Sequence, residues 1–158
     1  MLFRSEGSGY VVPGTGIMLN NMLGEDDLHP DGFHASPAGE RVSSMMSPSL
    51  VLCGEEVRLV FGSGGSKRIR TAMHQVLSRV VDQAADVASA VEAPRLHWDG
   101  ACVQLEPGFA AEAVDALHAR FPTNVWPDRN VYFGGVQAVS GDGQGAGDPR
   151  RGAACRIV

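Results

Sequence analysis

Three short stretches of the chain hold residue types that could do chemistry. The first is Gly62-Ser63-Gly64-Gly65-Ser66-Lys67. A phosphate-binding loop needs four residues between its glycines and then Lys followed by Ser or Thr, whereas Lys67 is followed by Arg68, so the spacing argues against a nucleotide site. Two readings remain. Either the glycines only permit a tight strand-to-helix turn, or they let backbone N–H groups approach a reacting oxygen at the positive end of a helix, as an oxyanion hole does. The second stretch is acidic, Gly24-Glu25-Asp26-Asp27-Leu28-His29-Pro30. It reads either as a solvated loop or as a site for a substrate ammonium, held by charge-assisted hydrogen bonds. His29 and His34 flank it without the further ligands that zinc would need, so no metal is expected. The third, Arg41-Val42-Ser43-Ser44-Met45-Met46-Ser47-Pro48, is rich in hydroxyls that could satisfy local backbone groups or a ligand. No Ser/His/Asp or Cys/His arrangement carries a nucleophile signature, and Cys53, Cys102 and Cys155 are isolated, as plain thiols are.

The elements that must position these stretches can be read from periodicity. Ile17-Met18-Leu19 is strand-like, and Gly24 to Glu40 is a long aperiodic surface loop, a kind of segment that is usually functional. Ser49-Leu50-Val51-Leu52 and Val57 to Phe61, joined by Cys53-Gly54-Glu55-Glu56, predict a hairpin of largely buried strands. Beyond Ser66 the period becomes helical, with Ile69, Met73, Val76, Leu77 and Val80 on one stripe. A strand therefore feeds a Gly-rich turn that opens a helix. Further on, residues 91–97 read as irregular around Pro94, residues 101–105 as a strand, and Ala113, Val114, Leu117 and Phe121 as the apolar face of a second helix. Residues 131–139 read as a strand interrupted at Gly134-Gly135, followed by a flexible turn over 141–147.

With 44% hydrophobic and 20% charged residues in 158, the composition is that of one globular domain or a large piece of one. A formal charge of −5 argues against a nucleic-acid partner, which would need a clustered basic face. No apolar run approaches the ~18 residues of a membrane span, and Met1 to Gly9 has no apolar signal core. Met1 to Glu6 precede any periodic element and are expected to be a non-native scar or fragment start, leaving 7–158 as the native segment.

In this order the stretches resemble the small subunit of the γ-glutamyltransferase family. The matching pieces are Gly14 to Asn21, Ser44 to Pro48, Gly62 to Ile69 with Gln75 and Val76, Ala93-Pro94-Arg95-Leu96-His97, and Asp148-Pro149-Arg150. The resemblance implies an α+β fold, the αββα sandwich of N-terminal-nucleophile hydrolases, present here only as a partial domain. It implies γ-glutamyl transfer or hydrolysis on glutathione-like amides, with water or an amino acid as acceptor, and it implies no cofactor. The family's nucleophile is an N-terminal threonine made when a precursor cuts itself into two subunits. That threonine should lie before Gly7, so this chain alone is expected to be inactive and to partner the large subunit of its own precursor. Relatives are often periplasmic, secreted or membrane-anchored, and any signal would lie outside this segment.

Carried over residue by residue, the oxyanion N–H groups fall at Gly64-Gly65, or at Gly65-Ser66 in an ungapped alignment. The carboxylate for the substrate ammonium falls at Glu25, or at Asp27 with a gap. Ser44 matches the first of two serines that hold the substrate carboxylate. Met22 and Met45 stand where the family carries hydrogen-bonding groups, which makes an acylase for glutaryl or cephalosporin-type amides an alternative; an alternative of another class is a non-catalytic remnant that packs on a large subunit.

Overall fold

The structure is a computed structural model that describes residues 7–25, 28–29, 31–32 and 35–156. Its centre is the hairpin expected from the sequence. β1 (Ser49–Cys53) and β2 (Glu56–Gly64) pair antiparallel around Gly54, with Leu50 opposite Val60. β6 (Gly135–Ser140) adds to β2 with Phe61 opposite Ala138 and Gly64 opposite Gly135, and β7 (Gly145–Ala146) closes the sheet in the order β1-β2-β6-β7.

Two helices cover one face of this sheet. α1 (Ile69–Val81) turns its predicted stripe inward, and Ile69, Met73, Val76 and Val80 pack with Leu59, Phe61, Val136 and Ala138. α2 (Val87–Glu92) adds Val87, Ala90 and Val91 to the same cluster. The sequence suggested irregular chain near here. Instead Asp86 caps α2 by accepting a hydrogen bond from the Ser89 N–H, 2.9 Å, and the helix ends before Pro94, where the preceding residue must leave the α region.

The opposite face of the sheet corrects the expectation of largely buried strands. Leu50, Leu52, Val57 and Val60 are each 44–54% exposed, as is Val139 at 50%. Because β alternation puts Leu59 and Phe61 under the helices, Val60 and its partner Leu50 must point the other way, and the register shift between Val51 and Leu52 brings Val57, opposite Leu52, to that same face. The chain thus supplies one helix layer and one sheet layer of an αββα sandwich.

A smaller sheet in the order β3-β4-β5 stands beside the first. β3 (Leu96–Trp98) runs antiparallel to β4 (Val103–Leu105), and α3 (Ala111–His118) crosses over to β5 (Thr123–Val125), parallel to β4. Residues 131–133 form a 3-10 turn rather than strand, because the Asn130 side chain accepts from the Tyr132 N–H and starts a new turn. Ile17-Met18-Leu19 contributes a single bridge, Met18 to Val11, rather than a strand. The turn after Ser140 is tight enough to return as β7.

Candidate active site

The Gly-rich run lies where β2 ends and α1 begins. Gly65 has φ of 139°, and a Cβ there would sit 2.8 Å from the Cα of Gly134, itself at φ 80°. Two backbones touch at this point, so glycine is needed for both conformation and space. The Ser63 hydroxyl, 3.0 Å from the Gly64 carbonyl, donates to it and accepts from the Gly135 N–H at 3.4 Å, fixing the turn from behind.

Gly65 then opens a 3-10 turn (Ser66–Arg68) that runs into α1 without a side-chain cap. Among the described residues, no protein acceptor takes the N–H of Gly65 or Ser66. Uncapped N–H groups at the start of a helix favour a negatively charged oxygen. Ser66 itself has φ of 52°, a conformation that costs a non-glycine residue roughly 1–3 kcal/mol and persists only where its surroundings enforce it.

Glu25 reaches this turn across 41 residues of sequence. The Ser66 hydroxyl donates to Glu25 Oε2 at 2.7 Å, the length of a charge-assisted hydrogen bond. The Glu25 side chain is aimed there by a 3-10 turn in which its own N–H donates to the Met22 carbonyl, 3.2 Å. Asp27, the alternative carboxylate, lies outside the described residues. Ser44 borders a cleft of about 390 Å³ together with Met22, Asn20 and Val42, and its hydroxyl accepts from the Met46 N–H at 3.1 Å. No hydrogen bond among the described residues joins Ser44 to Glu25 or to Ser66. Met22 and Ser44 line the same cleft. Met45 differs, because it is partly buried against the helix-covered core.

Near the turn lies an ionic cluster that sequence reasoning did not predict. Arg95, Glu106, Asp148 and Arg150 are all buried. Arg150 bridges the two carboxylates, with Nε 2.7 Å from Glu106 Oε1 and Nη1 3.2 Å from Asp148 Oδ1. Arg95 Nη2 lies 2.7 Å from Asp148 Oδ2. The same Asp148 Oδ2 accepts from the N–H of Val136, 2.8 Å, the residue that follows the Gly134-Gly135 pair. Burial pulls the Arg95 pKa down to about 10, against the opposing pull of Asp148. For Arg150 burial acts the same way but is outweighed by its hydrogen bond to Glu106 and the charge of Asp148, so its pKa is raised. Two cations facing two carboxylates are close to neutral as a group, which is the condition for burying them. The only sequence signal was that Arg95, Asp148 and Arg150 fall within the spaced matches.

His97 lies on the outer side of α1, where its Nδ1 is 3.0 Å from the Thr71 hydroxyl. Burial and then the charge of Arg68 lower its pKa. Arg68 is itself pinned, donating from Nε to the Tyr132 carbonyl at 3.0 Å with its guanidinium 4.7 Å from the Tyr132 ring centre. No cluster of three His, Cys, Asp or Glu among the described residues is placed to hold a metal ion, and no described helix is long and apolar enough to cross a membrane.

The family model described as gamma-glutamyltranspeptidase matches residues 4–157. The chain belongs to the gamma-glutamyltranspeptidase family. It is 31% identical over 160 residues to the glutathione hydrolase proenzyme of Escherichia coli (strain K12), covering 91% of this chain and 27% of that relative. It is also 31% identical over 144 residues to the acylase ACY 1 proenzyme of Pseudomonas sp. (strain SE83), covering 91% and 25%. The chain thus spans about a quarter of the length of these curated relatives. Among solved structures, gamma-glutamyltranspeptidase from Pseudomonas nitroreducens complexed with L-DON superposes with a TM-score of 0.76 at 29% identity, over 96% of this chain and 87% of that one. Cephalosporin acylase from Bacillus halodurans superposes with a TM-score of 0.77 at 30% identity, over 91% of this chain and 28% of that one. The α+β architecture, one part of an N-terminal-nucleophile hydrolase sandwich, is that of the family.

Proposed function

We propose that this segment forms the donor-binding wall and the oxyanion turn of an enzyme that transfers γ-glutamyl groups from glutathione-like amides to water or an amino acid. The observation that carries the reading is the meeting of Glu25 with the Gly64-Gly65 turn through Ser66. A carboxylate and uncapped helix N–H groups a few ångströms apart suit a donor with an ammonium at one end and a carbonyl under attack nearby.

In this reading a threonine hydroxyl oxygen from outside the matched segment bonds to the γ-carbonyl carbon, and the threonine's own amine takes the hydroxyl proton. The developing oxyanion faces the N–H groups of Gly64-Gly65 or Gly65-Ser66. Of these, the uncapped Gly65 and Ser66 groups are the better supported. The C–N bond then breaks, the departing amine leaves with a proton, and an acyl-threonine ester remains for water or an amino acid to resolve. Glu25 takes the donor ammonium and Ser44 its carboxylate. The large subunit of the same precursor would cover the exposed face of Leu50, Leu52 and Val60. Residues 1–158 alone are expected to turn over no donor.

A second reading, a glutaryl or cephalosporin-type acylase, is favoured by two observations. Met22 places a thioether in the cleft that Ser44 borders, and the relative from Pseudomonas sp. (strain SE83) and the solved structure from Bacillus halodurans are named acylases. Parallel kcat/KM measurements on γ-glutamyl and glutaryl anilides, made with the processed enzyme that carries this chain, decide between them. Glu25→Ala is expected to lose ~2–4 kcal/mol of transition-state stabilisation for the γ-glutamyl donor, because a buried charge loses its counter-ion, and much less for glutaryl. Met22→Gln is expected to move preference toward γ-glutamyl by ~0.5–1.5 kcal/mol, one hydrogen bond's worth. Equal losses on both donors at Glu25 would mean that the acidic loop is structural.

A further inference from the structure

We propose that Ser66 is a positioning residue. Its hydroxyl holds the Glu25 carboxylate against the Gly64-Gly65 turn, so that the group reading the donor's ammonium and the backbone receiving its carbonyl oxygen share one frame. The inference rests on the roles proposed above for Glu25 and the turn.

Ser66 occupies a backbone conformation, φ 52°, that glycine adopts freely and asparagine tolerates better than serine does. Serine in such a place gains from what its side chain does, and here the hydroxyl makes the 2.7 Å bond to Glu25 Oε2. The two partners differ in how they are held. Ser66 stands on a rigid base, since Gly65 lies against the Gly134 backbone, Gly64 pairs with Gly135, and Ser63 bonds both strands. Glu25 belongs to an aperiodic loop whose local bonds, from its N–H to Met22 and from the Leu28 N–H to its own carbonyl, set only a turn. The fixed member therefore places the loop member. Because the bond uses Oε2, the other carboxylate oxygen, Oε1, can accept from an ammonium. A donor bound there would meet a carboxylate already held at a set distance from the turn, with less ordering left to do on binding.

The test uses the processed enzyme that carries this chain, isotopically labelled for NMR. Ser66→Gly removes the hydroxyl at a residue that then accepts the backbone angle without strain, and Ser66→Asn supplies an alternative donor that also tolerates it. Ser66→Gly is expected to move the Glu25 carboxyl carbon resonance, Ser66→Asn to move it back toward the wild-type value, and Glu25→Gln to move the Ser66 amide while β6 amides stay in place. An unmoved Glu25 carboxyl in Ser66→Gly overturns the proposal. Titration with L-glutamate and with glutarate then separates this idea from the reading beneath it. Ser66→Gly is expected to weaken L-glutamate roughly tenfold, the worth of one hydrogen bond to a charged group, and to leave glutarate unchanged. Equal L-glutamate affinity in wild type and Ser66→Gly also overturns the proposal. Glutarate binding as tightly as L-glutamate to the wild type, with the reciprocal shifts present, overturns the ammonium role of Glu25 and leaves Ser66 as the residue that positions it.

Discussion

The ionic cluster around Asp148 and the turn at Gly65 lie on either side of the Gly134-Gly135 pair, and they use polar groups in opposite ways. In the cluster, charges are buried and nearly all of their polar atoms are engaged, with only Arg95 Nε lacking a partner among the described residues. Both Asp148 oxygens are engaged, by Arg95, Arg150 and the Val136 N–H, and the Arg150 guanidinium also donates to the carbonyls of Val91 and Ala93. At the turn, the N–H groups of Gly65 and Ser66 have no protein acceptor among the described residues and a serine holds an unfavourable angle. Saturation makes a clamp and lack of it makes a site: a buried group with all its partners has nothing to offer a ligand, whereas donors held without partners are ready for one. The cluster also reaches the strand beside the turn, since Asp148 Oδ2 accepts from the Val136 N–H, two residues after Gly134.

The largest expected effect comes from breaking the clamp. Asp148→Ala leaves the buried Arg95 guanidinium without its carboxylate, while Arg150 keeps only Glu106, and should destabilise the chain by ~3–5 kcal/mol, a large share of the total for a domain of this size. Urea unfolding followed by circular dichroism measures it, and a change below 1 kcal/mol would mean that the cluster is not a clamp. Gly65→Ala should come next, at ~2–3 kcal/mol, since it adds a Cβ 2.8 Å from a backbone atom and strains φ. Here relaxation can occur only by parting the strands, so exchange protection of the Gly135 and Val136 amides should fall with it.

A smaller effect is set by pH. Folding holds the His97 pKa below its ordinary 6.5. Between the folded and unfolded values the unfolded chain binds the extra proton, so stability rises with pH through that window and falls as pH drops below about 6.5, levelling once the folded imidazole also titrates. His97→Asn should flatten this limb of the stability curve, which pH-resolved urea melts would show. The smallest effect is expected on the uncovered sheet face. Leu52→Ser, at a side chain 53% exposed, should change the stability of the chain alone by less than ~0.5 kcal/mol. A much larger loss would show that this face is covered, for instance by a second copy.

Local periodicity and glycine placement were enough to determine the β1/β2 hairpin, the turn after Gly64 and α1, because each depends on residues a few positions apart. The order of spaced stretches also identified the family and pointed to Gly64, Gly65, Glu25 and Ser44. Only the tertiary structure decided which of these meet. Glu25 and Ser66 are 41 residues apart, and nothing in either neighbourhood says that a hydroxyl at a left-handed backbone angle will bond that carboxylate. The cluster was hidden for the same reason. Arg95, Glu106 and the Asp148-Pro149-Arg150 turn come from three separate stretches, and in isolation each charged residue is of the kind that usually faces water. Burying them depends on four charges summing to near zero in one place, a condition set by packing and not by any one segment. Burial of the strands was misjudged in the opposite direction. The hydrophobicity of Leu50, Leu52 and Val60 is a property of the sequence, but whether water touches them depends on which surfaces lie opposite, and that is decided by tertiary structure.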